Sequence, residues 1–389
     1  MAERFGGYQN EIYLRGLAGT KPEFTTDLTA LEQAAAEVLT PEALGYVAGG
    51  AGSGASMRAN RAAFDRWQLV PRMLTNATER DLSVTLFGEV LPAPVLLAPV
   101  GVQSIVHEDG ELATARAAAA LKLPMILSTA ASHTIEEVAD ANGAGPRWFQ
   151  LYWPNDPDVC ASILARARKA GYTALVVTLD TWSLAWRPRD LDRAYLPFIK
   201  NMGTAIPMSD PAFRSQLEKM PEDDLPTALL HWINLFTGTD KSWDQLSVLR
   251  ELWDGPILLK GIQHADDARR AVDAGMDGVV VSNHGGRQVD GAAGSLEMLP
   301  SIARAVDGRA EVLFDSGVRN GSDVVKALAL GAKAVLLGRP YVYGLGLGGE
   351  SGVRHVLRSL LADTDITLGL TGFRRPAELS PAALHRAEG

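Results

Sequence analysis

The sequence predicts an α/β protein built as an eight-stranded (β/α)₈ TIM barrel, with an N-terminal helical extension and a long insertion after the fourth strand. Three observations carry this. Eight short apolar runs recur along the chain, segments with helical spacing of apolar residues lie between them, and the regular spacing breaks only once.

The runs are Val95–Pro99, Pro124–Thr129, Arg147–Trp153, Ala174–Asp180, Pro256–Gly261, Gly278–His284, Glu311–Ser316 and Ala334–Pro340. Each has the length of a strand, and most are continuously apolar, as parallel strands covered by helices must be. Asp156–Ala170, Ala265–Ala274 and Ser322–Leu330 carry apolar residues at helical spacing, and Gly171, Gly275 and Gly331 follow them as stop signals. A doubly wound open sheet is the rival architecture. It is disfavoured because no Gly-x-Gly-x-x-Gly follows the first strand.

Ala174 to Pro256 spans 82 positions (256 − 174), where neighbouring strand starts lie 22 to 33 apart. The fourth strand is therefore followed by an insertion at roughly 187–244, rich in Pro, Trp and Phe (Pro188, Phe198, Pro207, Phe213, Trp232, Phe236, Trp243). Loops after barrel strands lie over the active-site mouth, which makes this segment lid-like; an excursion that makes oligomer contacts is the alternative. The chain reads as a single domain over 1–389. Residues 1–90 form a helical extension with a short β-like lead-in at Leu82–Phe87, 91–363 the barrel and 364–389 a C-terminal segment.

Composition narrows the class. With 389 residues, 46 Asp+Glu against 37 Lys+Arg and a net charge of −9, general nucleic-acid binding is not expected. The single cysteine, Cys160, excludes an internal disulfide and reads as a small core residue. Met1–Asn10 lacks the apolar core of a signal peptide, and no run approaches the roughly 20 apolar residues needed to cross a bilayer. The expectation is a soluble, cytoplasmic protein with no membrane partner.

Chemistry-bearing residues gather at the C-terminal strand ends: Pro99-Val100-Gly101, Ser128, Gln150 and Tyr152, Thr178 and Asp180, Lys260, Ser282 and His284, Asp315, and Gly338-Arg339. Ser282-Asn283-His284-Gly285-Gly286-Arg287-Gln288 is the most informative stretch. A histidine there can take a proton, and an arginine three residues on can hold a carboxylate with two charge-assisted hydrogen bonds. Taken alone, such a histidine is as often a satisfied structural residue. The last two strands end in Asp315-Ser316-Gly317-Val318-Arg319 and Leu337-Gly338-Arg339-Pro340. Barrels bind phosphate between those two loops, with glycine admitting the ligand and arginine neutralising it; capping glycines beside solvated arginines are the bland alternative. Lys260, the only lysine at a strand end, suits either a Schiff base in a lyase or the stabilisation of an anionic ring. No metal is expected. A ligand-binding barrel without catalysis would leave His284, Arg287, Arg187 and Tyr152 unexplained as a set.

These residues resemble the FMN-dependent L-2-hydroxy acid oxidases and dehydrogenases, most of all the lactate 2-monooxygenases among them. The likeness runs from about Tyr8 to the C-terminal region. It includes Leu44–Gly50, Pro71–Leu74, Phe149–Tyr152, Thr178–Thr181, Leu259-Lys260-Gly261, Ser282–Gln288 and both Gly/Arg loops. The resemblance implies an FMN cofactor. Pro99, Val100 and Gly101 would lie beside its isoalloxazine, and Ser128, Gln150 and Thr178 would hydrogen-bond the ring. Lys260 would face the N1/O2 edge, with Ser282 nearby; Asp315, Gly317, Arg319, Gly338 and Arg339 would surround the ribityl phosphate. Arg287 and Arg187 would clamp the substrate carboxylate, with Tyr46 as a further donor. Tyr152 would bond the 2-hydroxyl, and His284, steadied by Asp180, would take the proton as a hydride passes to FMN. Ala130 stands where many relatives carry an aromatic residue, and Ser53-Gly54 where they often carry Asp-Glu. Electrons would pass to O₂. L-lactate would give acetate, CO₂ and water, as Gly101 and the long insertion suggest; release of the 2-keto acid and hydrogen peroxide is the alternative. A homotetramer or homo-octamer is implied.

Overall fold

Eight strands close into one parallel barrel in the computed structural model, which describes residues 5–238 and 241–387. Residues 1–4 of the polar start, 239–240 of the insertion and 388–389 lie outside the described part. The strands are β1 (Val95–Leu97), β2 (Met125–Ser128), β3 (Arg147–Leu151), β4 (Leu175–Thr178), β5 (Ile257–Ile262), β6 (Gly278–Val281), β7 (Glu311–Phe314) and β8 (Ala334–Leu337). Each pairs in parallel with its sequence neighbours, and β8 closes on β1. Most end two or three residues before the apolar runs do, because the chain leaves the ladder as it reaches the rim.

Alternation within these apolar strands separates two cores. One residue from every strand points at the axis: Leu96, Ile126, Trp148, Val176, Leu258, Val280, Leu313 and Leu336 form one buried cluster. Their neighbours, among them Leu97, Leu127, Phe149, Val177, Leu259, Val281, Phe314 and Leu337, face the outer helices in a second cluster. The barrel interior is thus a packed plug, not a pore. A hairpin of Val84–Leu86 and Glu89–Leu91 adds Val84, Leu86 and Leu91 to the inner cluster. The lead-in expected at Leu82–Phe87 is the first arm of this hairpin.

The expected helices appear at Pro157–Lys169, Ala265–Asp273 and Gly321–Ala329, and Gly171, Gly275 and Gly331 have φ of 77°, 76° and 111° just beyond them. Cys160 is buried, and burial pushes its thiol up to about 12, so it is inert as a nucleophile. Among the described residues no helix is long and apolar enough to cross a membrane, and no cluster of side chains could hold a metal ion.

The insertion folds into short helices, of which Pro211–Ser215 and Leu225–Phe236 matter most for the site. Asp210 fastens it to the barrel. Fully buried, this carboxylate accepts from Ser162 (2.9 Å) and Arg166 (3.2 Å) and caps the Pro211–Ser215 helix through the N–H groups of Ala212 and Phe213. Asp210→Ala should cost about 2–4 kcal/mol, because it strips a buried cap and leaves part of Arg166 unpaired. Limited proteolysis should then cut within 187–244 before the barrel; unchanged cleavage kinetics would contradict this anchoring role.

Candidate active site

Two steps along each strand above the apolar plug, alternation brings a second inward layer: Ala98, Ser128, Gln150, Thr178, Lys260, Ser282, Asp315 and Gly338. One further step on four strands reaches Val100, Ala130, Tyr152 and His284, all of which line one cavity of about 260 Å³. The polar rim read from the sequence is therefore one polar layer resting on hydrocarbon, with a reactive layer above it.

Asp180 and His284 meet across the mouth. His284 Nδ1 lies 2.8 Å from Asp180 Oδ1, and Thr181 Oγ1 touches both. The contact depends on β5. Its ladder slips between Lys260 and Ile262, and the bulged Gly261 has φ 107°, a conformation that favours glycine. A Cβ at Gly261 would stand 2.9 Å from the Asp180 Cβ. On the other side, His284, Gly285 and Gly286 turn through positive φ (57°, 64°, 76°), which lifts the imidazole over the cavity. Ser282 Oγ accepts from the His284 N–H at 3.0 Å, and Asn283 locks reciprocally with Asn60 at 2.8 Å.

Burial pushes the His284 imidazolium below its ordinary range, and Lys260 and Arg187 push the same way against the pull of Asp180. Burial alone would raise Asp180, but His284, Lys260 and Thr181 outweigh it and hold the carboxyl below its ordinary range. The pair therefore rests as neutral imidazole and carboxylate. Nδ1–H donates to Asp180, and Nε2 keeps a lone pair for an incoming proton.

The cations form two groups. At one end Arg187 and Arg287 both line the cavity. Arg287 spends one nitrogen on the carbonyls of Tyr46 (2.5 Å) and Gly49 (2.8 Å) and lies 5.0 Å over the Tyr46 ring. Arg187 donates to the Arg287 carbonyl (3.1 Å) and to Gln288 (2.7 Å). Each keeps unspent N–H donors. Burial and the neighbouring Arg187 pull Arg287 down to about 9. At the other end Arg319 is pulled down to about 10 by burial and by Arg339. Among the described residues none of these four arginines has a carboxylate within ion-pair distance. Arg187 is buried and the other three are half-buried, and such cations without counter-ions call for anionic ligands.

Lys260 is different. Its ammonium pairs with Asp315 at 3.0 Å and donates to Ser282 at 3.1 Å. Burial works against the charge, yet Asp315 and Asp180 hold it above its ordinary range. A lysine so protonated is a poor Schiff-base amine and a fixed positive charge.

Of the residues singled out from the sequence, Tyr46, Pro99, Val100, Gly101, Tyr152, Arg187, Lys260, His284, Arg287, Asp315, Gly317, Arg319, Gly338 and Arg339 share this cavity. Ser128, Gln150 and Thr178 lie in the layer beneath and bond to one another, Ser128 to Gln150 and Gln150 to Thr178, both at 3.0 Å. Asp180 and Thr178 border a separate cavity behind Tyr152. Arg339 departs from the phosphate role given to its side chain. The guanidinium donates to the carbonyls of Val47, Gly49 and Gly285, all at 2.9 Å, and so ties the N-terminal extension to the histidine turn. Its backbone instead opens a helix beside Gly338, where unpaired N–H groups suit an anion.

Two positioning residues went unassigned in the sequence reading. Ser316, at φ 82°, accepts from the N–H groups of Asn283 (3.3 Å) and Gly285 (3.0 Å). Gln288 donates to the carbonyls of Asp180 (2.7 Å) and Ser183 (3.1 Å). Both sit in quoted motifs, but their partners are backbone atoms of distant loops and leave no local sequence signal.

Comparison with known proteins defines the class. Residues 35–386 match the family model described as FMN-dependent dehydrogenase, and the chain belongs to that family. It is 50% identical over 386 residues to the FMN-dependent alpha-hydroxy acid dehydrogenase qulF of Penicillium citrinum, covering 98% of this chain and 96% of that protein. It is 40% identical over 379 residues to an L-lactate oxidase of Lysinibacillus sphaericus, covering 97% of each. A crystal structure of mandelate oxidase superposes with a TM-score of 0.82 at 38% identity, covering 94% of this chain and 99% of that one. The protein is thus an FMN-dependent alpha-hydroxy acid oxidoreductase, and the lyase reading of Lys260 is set aside.

The residues fit the cofactor. Arg319 and the helix opening at Gly338-Arg339 offer a buried, uncompensated positive end for a phosphate, and Lys260 offers a fixed positive charge at the barrel axis.

Catalysis that needs neutral His284 must fade as pH falls and the imidazole takes up a proton. The acid limb of kcat/KM should lie below 6.5, since the histidine is depressed from that value. Asp180→Asn removes the group that opposes this depression, so the limb should move to still lower pH while kcat falls about 10²–10⁴-fold. A limb unmoved by that substitution would separate Asp180 from the histidine's titration.

Proposed function

We propose that the protein oxidises L-2-hydroxy acids with O₂ as electron acceptor, and that the insertion over the site couples this to decarboxylation of the product. The observation that carries the reading is the meeting of one unprotonated histidine, two arginines lacking acid partners and one tyrosine on a single cavity wall.

Arg187 and Arg287 offer the free donors of two guanidinium groups to the substrate carboxylate. That fixes the 2-carbon near His284. Burial raises the Tyr152 phenol far above its ordinary range, so it stays protonated and can donate to the 2-hydroxyl oxygen. His284 Nε2 takes the hydroxyl proton, and Asp180 stabilises the imidazolium that results. FMN, held by Lys260, Arg319 and the helix opening at Gly338-Arg339, would supply the two-electron acceptor for the hydride leaving C2. Lys260 holds a positive charge in the layer below, where it opposes the cost of negative charge building on the acceptor.

The insertion supports the proposed fate of O₂. Phe198, Trp232 and Phe236 all line the cavity and would shield a keto acid and hydrogen peroxide formed there from part of the solvent. Their reaction together gives the acid shortened by one carbon, CO₂ and water. L-lactate, the smallest chiral member of the class, would give acetate.

Aerobic turnover of L-lactate by FMN-loaded protein tests this. Acetate should dominate, with little pyruvate or peroxide; stoichiometric pyruvate and peroxide would make the enzyme an oxidase that releases its products. Arg287→Lys should raise KM at least about tenfold with a smaller effect on kcat, because an ammonium cannot reproduce the planar fork.

A further inference from the structure

If the carboxylate and hydroxyl of a 2-hydroxy acid are held by Arg187, Arg287, Tyr152 and His284, the rest of the cavity wall on that side faces the substituent on C2. This step rests on the reading proposed above. That wall is mostly hydrocarbon contributed by three parts of the chain, with Thr181, Ser183 and Thr237 as further lining residues. Ala130 comes from the end of β2, Leu184 and Leu196 from the start of the excursion after β4, and Phe198, Trp232 and Phe236 from its interior.

The three rings form one surface. Phe198 and Trp232 lie 4.9 Å apart between centroids, tilted by 50°, and Trp232 and Phe236 lie 5.8 Å apart, tilted by 35°. Trp232 and Phe236 come from one face of the Leu225–Phe236 helix, and Trp232 is 8% exposed, so packing fixes the surface. Among the described residues the only carboxylate lining the cavity is Asp315, and it is paired with Lys260 in the layer below. Among the described residues no charged side chain other than the two clamping arginines reaches this side.

A methyl group covers little of such a wall. The remaining space would be bounded largely by carbon, where water finds few hydrogen-bond partners and the lining loses its dispersion contacts. A branched aliphatic or aromatic substituent fills it and buries apolar area at about 25 cal/mol per Å². An ionised substituent would enter without a counter-charge.

We infer that the preferred substrates are L-2-hydroxy acids with a bulky apolar substituent, branched aliphatic or aromatic, and that lactate is a weak member of the series. The aromatic surface Phe198–Trp232–Phe236 is the specificity-determining element.

The test is a kcat/KM series with the FMN-loaded enzyme on L-lactate, L-2-hydroxy-4-methylpentanoate, L-3-phenyllactate and L-malate. The two apolar acids should exceed lactate by about tenfold or more, chiefly through lower KM, and malate should fall below lactate. Phe198→Leu should narrow the advantage of phenyllactate; should that variant fail to fold, the wild-type series still decides. Lactate or malate matching the apolar acids would overturn the inference and leave hydroxy-acid oxidation standing. Oxidation of none of the four would overturn the reading on which it rests.

Discussion

Closure of eight parallel strands around one axis leaves each strand a single choice, namely which of its alternating residues faces inward. Everything at the site follows from that constraint. Leu96, Ile126, Trp148, Val176, Leu258, Val280, Leu313 and Leu336 take the lower level and seal the interior. The next inward level, two residues on, holds Ser128, Gln150, Thr178, Lys260, Ser282 and Asp315, and the level after that holds Tyr152 and His284. A one-residue slip would place an apolar residue such as Leu127, Phe149, Val177, Leu259, Val281 or Phe314 where the chemistry stands. The one irregularity, the bulge at Gly261, occurs where the Asp180 carboxylate needs the space.

Charge is arranged against the ordinary economy of a folded interior. Arg187, Arg287, Arg319 and Arg339 are gathered without an ion-paired acid among the described residues, while Asp315 and Asp180 are committed to Lys260 and His284 and Asp190 acts on Arg187 and Arg287 only from beyond ion-pair distance. Backbone carbonyls bear part of the load: Tyr46, Val47, Gly49 and Gly285 accept from Arg287 and Arg339. The same bonds pull the N-terminal extension over the rim. Binding of two anions, which we propose to be the cofactor phosphate and the substrate carboxylate, would relieve this unbalanced charge and set the site's organisation against some cost to the empty protein.

Much of this was legible in the sequence, for identifiable reasons. Continuous apolar strands with polar ends are a strong local signal, and the 82-position gap after Ala174 marked the insertion. The strand ends were overrun because Asp180, His284 and Tyr152 continue the inward alternation after ladder pairing stops. The pairing of Trp67–Leu69 with Leu384–Arg386 left no trace, since two three-residue strands far apart in the chain have no shared local pattern. The side-chain role of Arg339 and the bridging by Gln288 and Ser316 were hidden for a related reason. Their partners are main-chain atoms, which sequence does not distinguish.

The central claim is that neutral His284, oriented by Asp180, accepts the substrate proton while electrons pass to FMN. Anaerobic rapid mixing of FMN-loaded protein with excess L-2-hydroxy acid, followed by loss of the flavin absorbance, tests it most directly. The account predicts that His284→Ala retains bound FMN yet bleaches at least about 10²-fold more slowly than the parent protein. Bleaching at the parental rate with full FMN occupancy would contradict it.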